Sequence, residues 1–135
     1  MRYLGIDYGE KKVGLAFSDE AGTMGFPHSI IPNTPRLAEE LRALIAREGV
    51  GAAVIGESRD YRGAENPVMR GARALAKELR AGVPIFFEPE VLTSAEARRA
   101  PARERKSRAP KARAEVDASA AALILTSYLS RTHHG

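Results

Sequence analysis

Tyr3-Leu4-Gly5-Ile6-Asp7 and Val13-Gly14-Leu15-Ala16-Phe17, with Tyr8-Gly9-Glu10-Lys11-Lys12 between them, decide how this chain is read. Two short apolar runs joined by a polar, glycine-containing segment predict a hairpin of two strands. The first strand ends on an acidic residue, Asp7, beside a glycine that lets another group approach the backbone.

Outward from the hairpin, a third strand is expected from about His28 to Ile31, after Gly22 and Gly25. Thr34-Pro35 offers an N-cap and a proline in the first helical turn, and Leu37, Leu41, Leu44 and Ile45 recur at helical spacing up to Gly49. Ala52-Ala53-Val54-Ile55 reads as a buried strand ending at Gly56. Asn66-Pro67 opens a second helix with Met69, Leu75 and Leu79, and Val83 to Phe87 is a fifth strand. Thr93-Ser94-Ala95-Glu96 has capping-box spacing, and Glu115 to Leu129 reads as a final, mostly apolar helix. Three strands followed by alternating helices and strands predict an α/β fold. Its five-stranded mixed sheet would open with antiparallel strands, continue by parallel crossovers and carry helices on both faces.

The chain has 135 residues, within the roughly 100–200 expected of one domain, so residues 1–135 are read as a single domain. Hydrophobic residues make up 44% and charged residues 28%, and no run suits a bilayer span. The start lacks the pattern of a secretory signal, and without cysteine there is no disulfide or thiolate chemistry. A cytoplasmic protein that does not engage membranes is expected.

The net charge of +4 is concentrated. From Glu96 to Glu115 stand Arg98, Arg99, Arg103, Arg105, Lys106, Arg108, Lys111 and Arg113 against three glutamates, a local +5 that leaves the other 115 residues near −1. Such a stretch, interrupted by Pro101 and Pro110, suits the phosphates of a nucleic acid, whose counterions it displaces. A solvated charge run is the plainer alternative.

Ligands of parallel α/β sheets gather at the carboxyl ends of the strands, and there the residues are acidic: Asp7, then Glu57, then Glu88 and Glu90, with Asp117 opening the last helix. Singly each reads as a turn residue, a cap or a loop charge. Together they would repel one another unless a cation neutralised them. Oxygen donors without cysteine suit Mg²⁺ or Mn²⁺, and paired ions of that kind assist in-line displacement at phosphodiesters.

Gly5-Ile6-Asp7-Tyr8-Gly9, then Lys12-Val13-Gly14-Leu15-Ala16 and Ser18-Asp19, resemble the opening signature of the YqgF/RuvX family of RNase H-like nucleases. Val116-Asp117, Ala120-Ala121 and Leu123-Ile124-Leu125-Thr126-Ser127-Tyr128-Leu129 resemble its closing signature, and Glu90-Val91-Leu92-Thr93-Ser94-Ala95-Glu96 is similar to its Asp-Glu-Arg-Leu-Thr-Thr segment. The resemblance implies an RNase H-like fold and metal-dependent hydrolysis of nucleic acid. The substrate would be the 5′ end of precursor 16S rRNA in ribosome biogenesis or a branched DNA such as a Holliday junction. Pro89 and Val91 stand where the family has Asp and Arg, and Gly56-Glu57-Ser58 where it has Gly-Leu-Pro. The expected metal site is therefore Asp7 and Asp117 with Glu90, Glu57 being the other candidate for the third carboxylate. Lys11, Lys12 and the basic stretch would hold phosphates, in a monomer or a homodimer.

Two rivals come from other classes. Asp7-x-Gly9 before Lys11-Lys12 also resembles the phosphate loop of actin-like and sugar-kinase ATPases, which need a second domain that 135 residues cannot supply. A non-catalytic RNA- or DNA-binding module of the same fold is the alternative that Pro89 and Val91 favour. Few aromatic residues are present, four Tyr and four Phe, so sequence alone gives little support for a base-stacking platform.

Overall fold

In the computed structural model, which describes residues 1–57, 67–89 and 118–132, strand β1 (Arg2–Tyr8) runs through the middle of a five-stranded sheet. Strand β2 (Lys12–Ser18) returns antiparallel beside it, forming the hairpin that the apolar runs predict, with Leu4 opposite Phe17 and Asp7 opposite Gly14. Strand β3 (Gly25–Pro32) pairs antiparallel with the outer side of β2 and is longer at both ends than its apolar residues suggest. The ladder to β2 stabilises its polar positions, which periodicity alone does not register.

Helix α1 (Leu37–Glu48) leads to β4 (Val50–Glu57), and helix α2 (Pro67–Leu79) to β5 (Ile85–Pro89). Residues 118–132 form a further helix, α3. Strand β4 lies parallel to β1, and β5 parallel to β4, giving the order β3-β2-β1-β4-β5. The mixed α/β architecture expected from the sequence is the one observed.

Local chemistry sets the boundaries. α1 begins at Leu37 rather than at Pro35, because the Thr34 hydroxyl accepts the Arg36 N–H at 3.2 Å and the Thr34 carbonyl accepts the Leu37 N–H at 3.0 Å, a turn that precedes the helix. It ends as predicted on Gly49, at φ +66° with its N–H donated to the Ile45 carbonyl. β5 begins at Ile85 because the Val83 N–H is still held by the Leu79 carbonyl at the exit of α2.

Alternation along the strands divides the core into two layers. Leu4, Ile6, Val13, Leu15, Ala53, Ile55 and Ile85 pack against Leu41, Leu44 and Ile45 of α1 and Met69, Leu75 and Leu79 of α2. On the other face Ala16 and Val54 meet Ala121, Leu125 and Leu129 of α3. That helix lies unusually near the sheet: a Cβ on Gly5 would stand 2.8 Å from the Ala121 carbonyl oxygen, and one on Gly25 2.9 Å from that of Ala122. Thr126 adds a bond, its Oγ1 accepting the Gly25 N–H at 2.9 Å.

The β2–β3 connection is fastened by Asp19, which accepts the Thr23 hydroxyl and the backbone N–H groups of Thr23 and Met24. These donors, the Thr23 hydroxyl foremost, hold its carboxyl at about 2 against an ordinary 3.8. A depressed pKa adds stability above about pH 4 that disappears as the pH falls through about 2. Asp19→Asn should therefore flatten the dependence of Tm on pH across that window; an unchanged slope would remove Asp19 from the acid response. Gly5→Ala should cost about 1–3 kcal/mol in urea unfolding, because the wall it meets is backbone. A loss below about 0.5 kcal/mol would mean that α3 shifts freely on the sheet.

Candidate active site

The register fixes which residues surround Asp7. Ile6 pairs with Ile55 across the parallel β1–β4 ladder, so the next step sets Asp7 level with Gly56. Gly56 in turn pairs with Glu88, and Asp7 itself with Gly14. Gly14, Asp7, Gly56 and Glu88 thus form one row across four strands, and residues in a row share a face. That face is the one α3 covers, since Gly5 touches Ala121 and Leu125, and Glu88 is bonded to Ser127 and Arg131.

Asp7 is half-buried at the carboxyl end of the central strand, with a glycine on either side of it in the row. Its cross-strand neighbours in the row are thus glycines, which add no side chain beside the carboxylate from either adjoining strand. Beyond it the turn is tied down. The Asn33 side chain donates to the Gly9 carbonyl at 2.7 Å and its backbone N–H to the Lys11 carbonyl at 2.9 Å. This places the exposed Lys11 and Lys12 next to the acidic strand end, where sequence reading expects phosphate contacts. In the sequence Asn33 carries no signal of this role, resembling any polar residue ahead of a helix.

Glu88 is only 4% exposed and lies within β5, not in a loop beyond it. Ser127 donates its hydroxyl to one carboxylate oxygen at 2.8 Å and the Arg131 guanidinium donates to the other. The Arg131 side chain remains 59% exposed. The buried charge is thereby compensated, and the last turn of α3 is joined to the outermost strand. The signal was present in the sequence: with Ile85 and Phe87 on the apolar face, alternation turns Glu88 towards the other.

Glu57 occupies a different place. Being one residue past Gly56, it turns to the α1–α2 face, where its carboxylate lies 3.6 Å from the Arg73 guanidinium of α2. The same guanidinium sits 5.6 Å from the centroid of the Phe87 ring. Register and alternation thus turn Glu57 and Asp7 to opposite faces of the sheet. Glu90, Asp117 and the basic residues Arg98, Arg99, Arg103, Arg105, Lys106, Arg108, Lys111 and Arg113 lie outside the described residues. Among the described residues no three His, Cys, Asp or Glu side chains converge as a metal cluster, and no helix is long and apolar enough to cross a membrane.

A family model described as RuvX, Holliday junction resolvase, matches residues 1–131. A protein of Anaeromyxobacter sp. (strain Fw109-5) named "Putative pre-16S rRNA nuclease" is 37% identical over 137 residues, covering 98% of this chain and 99% of its own. Among solved structures, Thermus thermophilus RuvC matches with a TM-score of 0.61 at 18% identity, covering 99% of this chain and 97% of that one. The T. thermophilus protein in complex with a Holliday junction substrate matches at 0.60 and 18%, covering 98% and 96%. At such identity the likeness is one of fold.

The Glu88 clasp makes a stability prediction. Glu88→Ala should cost about 1–3 kcal/mol, the range for unmaking charged hydrogen bonds when the exposed partner can return to water. Thermal unfolding of this variant beside Arg131→Ala measures it, and two losses that add independently would show that the two side chains do not act as a pair.

Proposed function

Because the chain belongs to the RuvX, Holliday junction resolvase, family, we propose that it hydrolyses nucleic-acid phosphodiesters with the help of divalent metal ions, Asp7 being the central carboxylate. The observation that carries this reading is the position of Asp7, at the carboxyl end of the middle strand and in register between Gly14 and Gly56. A carboxylate at the carboxyl end of a central strand suits a hard cation.

Asp7, with Glu90 and Asp117, would hold Mg²⁺ or Mn²⁺. The donor set fits such an ion, being oxygen alone in a chain without cysteine. Bound there, the ions would supply Lewis acidity to the scissile phosphate and to the attacking water. Glu57 is engaged with Arg73 on the far face, so this reading gives the third carboxylate to Glu90. Lys11 and Lys12, steadied by Asn33, would hold the substrate backbone beside the reacting phosphate. Arg98 to Arg113 would add affinity without base preference.

The relative named as a pre-16S rRNA nuclease aligns along nearly its whole length at 37% identity, whereas the junction-bound RuvC resembles this chain in fold alone. We therefore take an rRNA precursor end, processed in the cytoplasm, as the substrate, with branched DNA as the second reading. The first asks only for a monomer, and the second for a homodimer that makes two symmetric cuts.

The test is cleavage of a labelled precursor-rRNA end, single-stranded RNA, a four-way DNA junction and plain duplex in Mg²⁺, Mn²⁺ or EDTA. Cutting should require metal and fall by at least about a hundredfold in Asp7→Asn, while Glu57→Gln should keep wild-type cleavage. Binding of folded protein without cutting would establish the non-catalytic module instead, and loss of cutting in Glu57→Gln would return Glu57 to the site.

A further inference from the structure

Beside the Glu88 clasp the α3 face carries an aromatic group that the cleavage reading does not use. Phe86, two residues before Glu88 and on the same face of β5, is 39% exposed. Its ring stacks on that of Tyr128 from α3, with centroids 5.4 Å apart and planes inclined by 25°. Tyr3 of β1 lies behind, its ring 6.1 Å from Tyr128. Burial, and then Tyr3, push the Tyr128 phenol above its ordinary range, and Arg131 and Glu88 lie near enough to act on it as well. It therefore stays neutral at physiological pH. Arg131, with one edge fastened to buried Glu88 and most of its surface in water, completes the group.

We infer that Phe86, Tyr128 and Arg131 form a subsite for an unpaired nucleotide of the substrate strand, the stacked rings meeting the base and the guanidinium a phosphate. This rests on the nuclease reading. Glu88 is level with Asp7 two strands away, about 10 Å at usual strand spacing, and Phe86 is about 7 Å further along β5. The two places are thus about 12 Å apart, the span of about three or four stacked nucleotides. A ring 39% exposed on the outermost described strand suits stacking by an unpaired base, since inside a duplex both faces of each base are already covered. Arg131 is preset for its part. Glu88 and Ser127 fix its geometry at the cost of one donor edge, leaving the other N–H groups of the fork for an anion.

Binding in EDTA, where cleavage does not intervene, tests the proposal with a labelled single-stranded RNA 12-mer and a blunt duplex of the same sequence. Phe86→Ala should weaken the single strand about tenfold and leave the duplex within about twofold. Phe86→Trp should restore it. Arg131→Gln should reduce the slope of log affinity against log salt by about 0.7 for the single strand, the value of one phosphate contact. Equal loss on both probes, no loss on either, or an unchanged salt slope in Arg131→Gln would overturn the subsite while leaving the nuclease reading intact. So would a wild-type dimer that Phe86→Ala converts to monomer, since the patch would then join two copies of this chain. Wild-type protein that binds neither probe nor a four-way junction would overturn the nuclease reading itself.

Discussion

Helix α3 rests on glycine. At Gly5 and Gly25 the sheet offers bare backbone, and the carbonyls of Ala121 and Ala122 come as near as a missing side chain allows. Close approach of this kind leaves little freedom to slide or rotate. Once the helix is seated, Thr126 reaches the Gly25 amide, Leu125 and Leu129 fill the layer over Ala16 and Val54, and Ser127 and Arg131 arrive at Glu88. The arrangement of the Asp7 face follows from that seating, because among the described residues the helix supplies the side chains on it that the strands do not.

A second constraint is the two-residue period of the strands. It sends Ile6 into one core and Asp7 towards the other, and in β4 it turns Gly56 and Glu57 to opposite faces of the sheet. A carboxylate one position along a strand is thus not a near substitute for its neighbour. Nearness in sequence at a strand end does not imply convergence in space.

Much of this could be read from the chain. The opening hairpin, Asp7 at its strand end, the αL glycine closing α1 and the proline opening α2 each rest on interactions between residues a few positions apart, which local pattern captures. Glu57 was legible as an acidic strand end but not as a residue of the other face, because its place depends on where the strand begins its alternation. Glu88 was obscured by Pro89, which reads as the end of a strand although a final position on an outer strand accommodates it. The Phe86–Tyr128 stack joins residues 42 positions apart, and four Phe and four Tyr scattered along a chain do not announce that two of them meet.

The outer strands of the sheet have one more consequence. β3 contains Pro27 and ends on Pro32, while β5 ends on Pro89. Each proline removes a hydrogen-bond donor from a strand that, among the described residues, has a neighbour on one side only. An incoming strand would find an interrupted template along either margin. Where the described strands leave the sheet open at its sides, these three imino acids guard it against growing chain upon chain into fibrils, a hazard that barrels escape by closing.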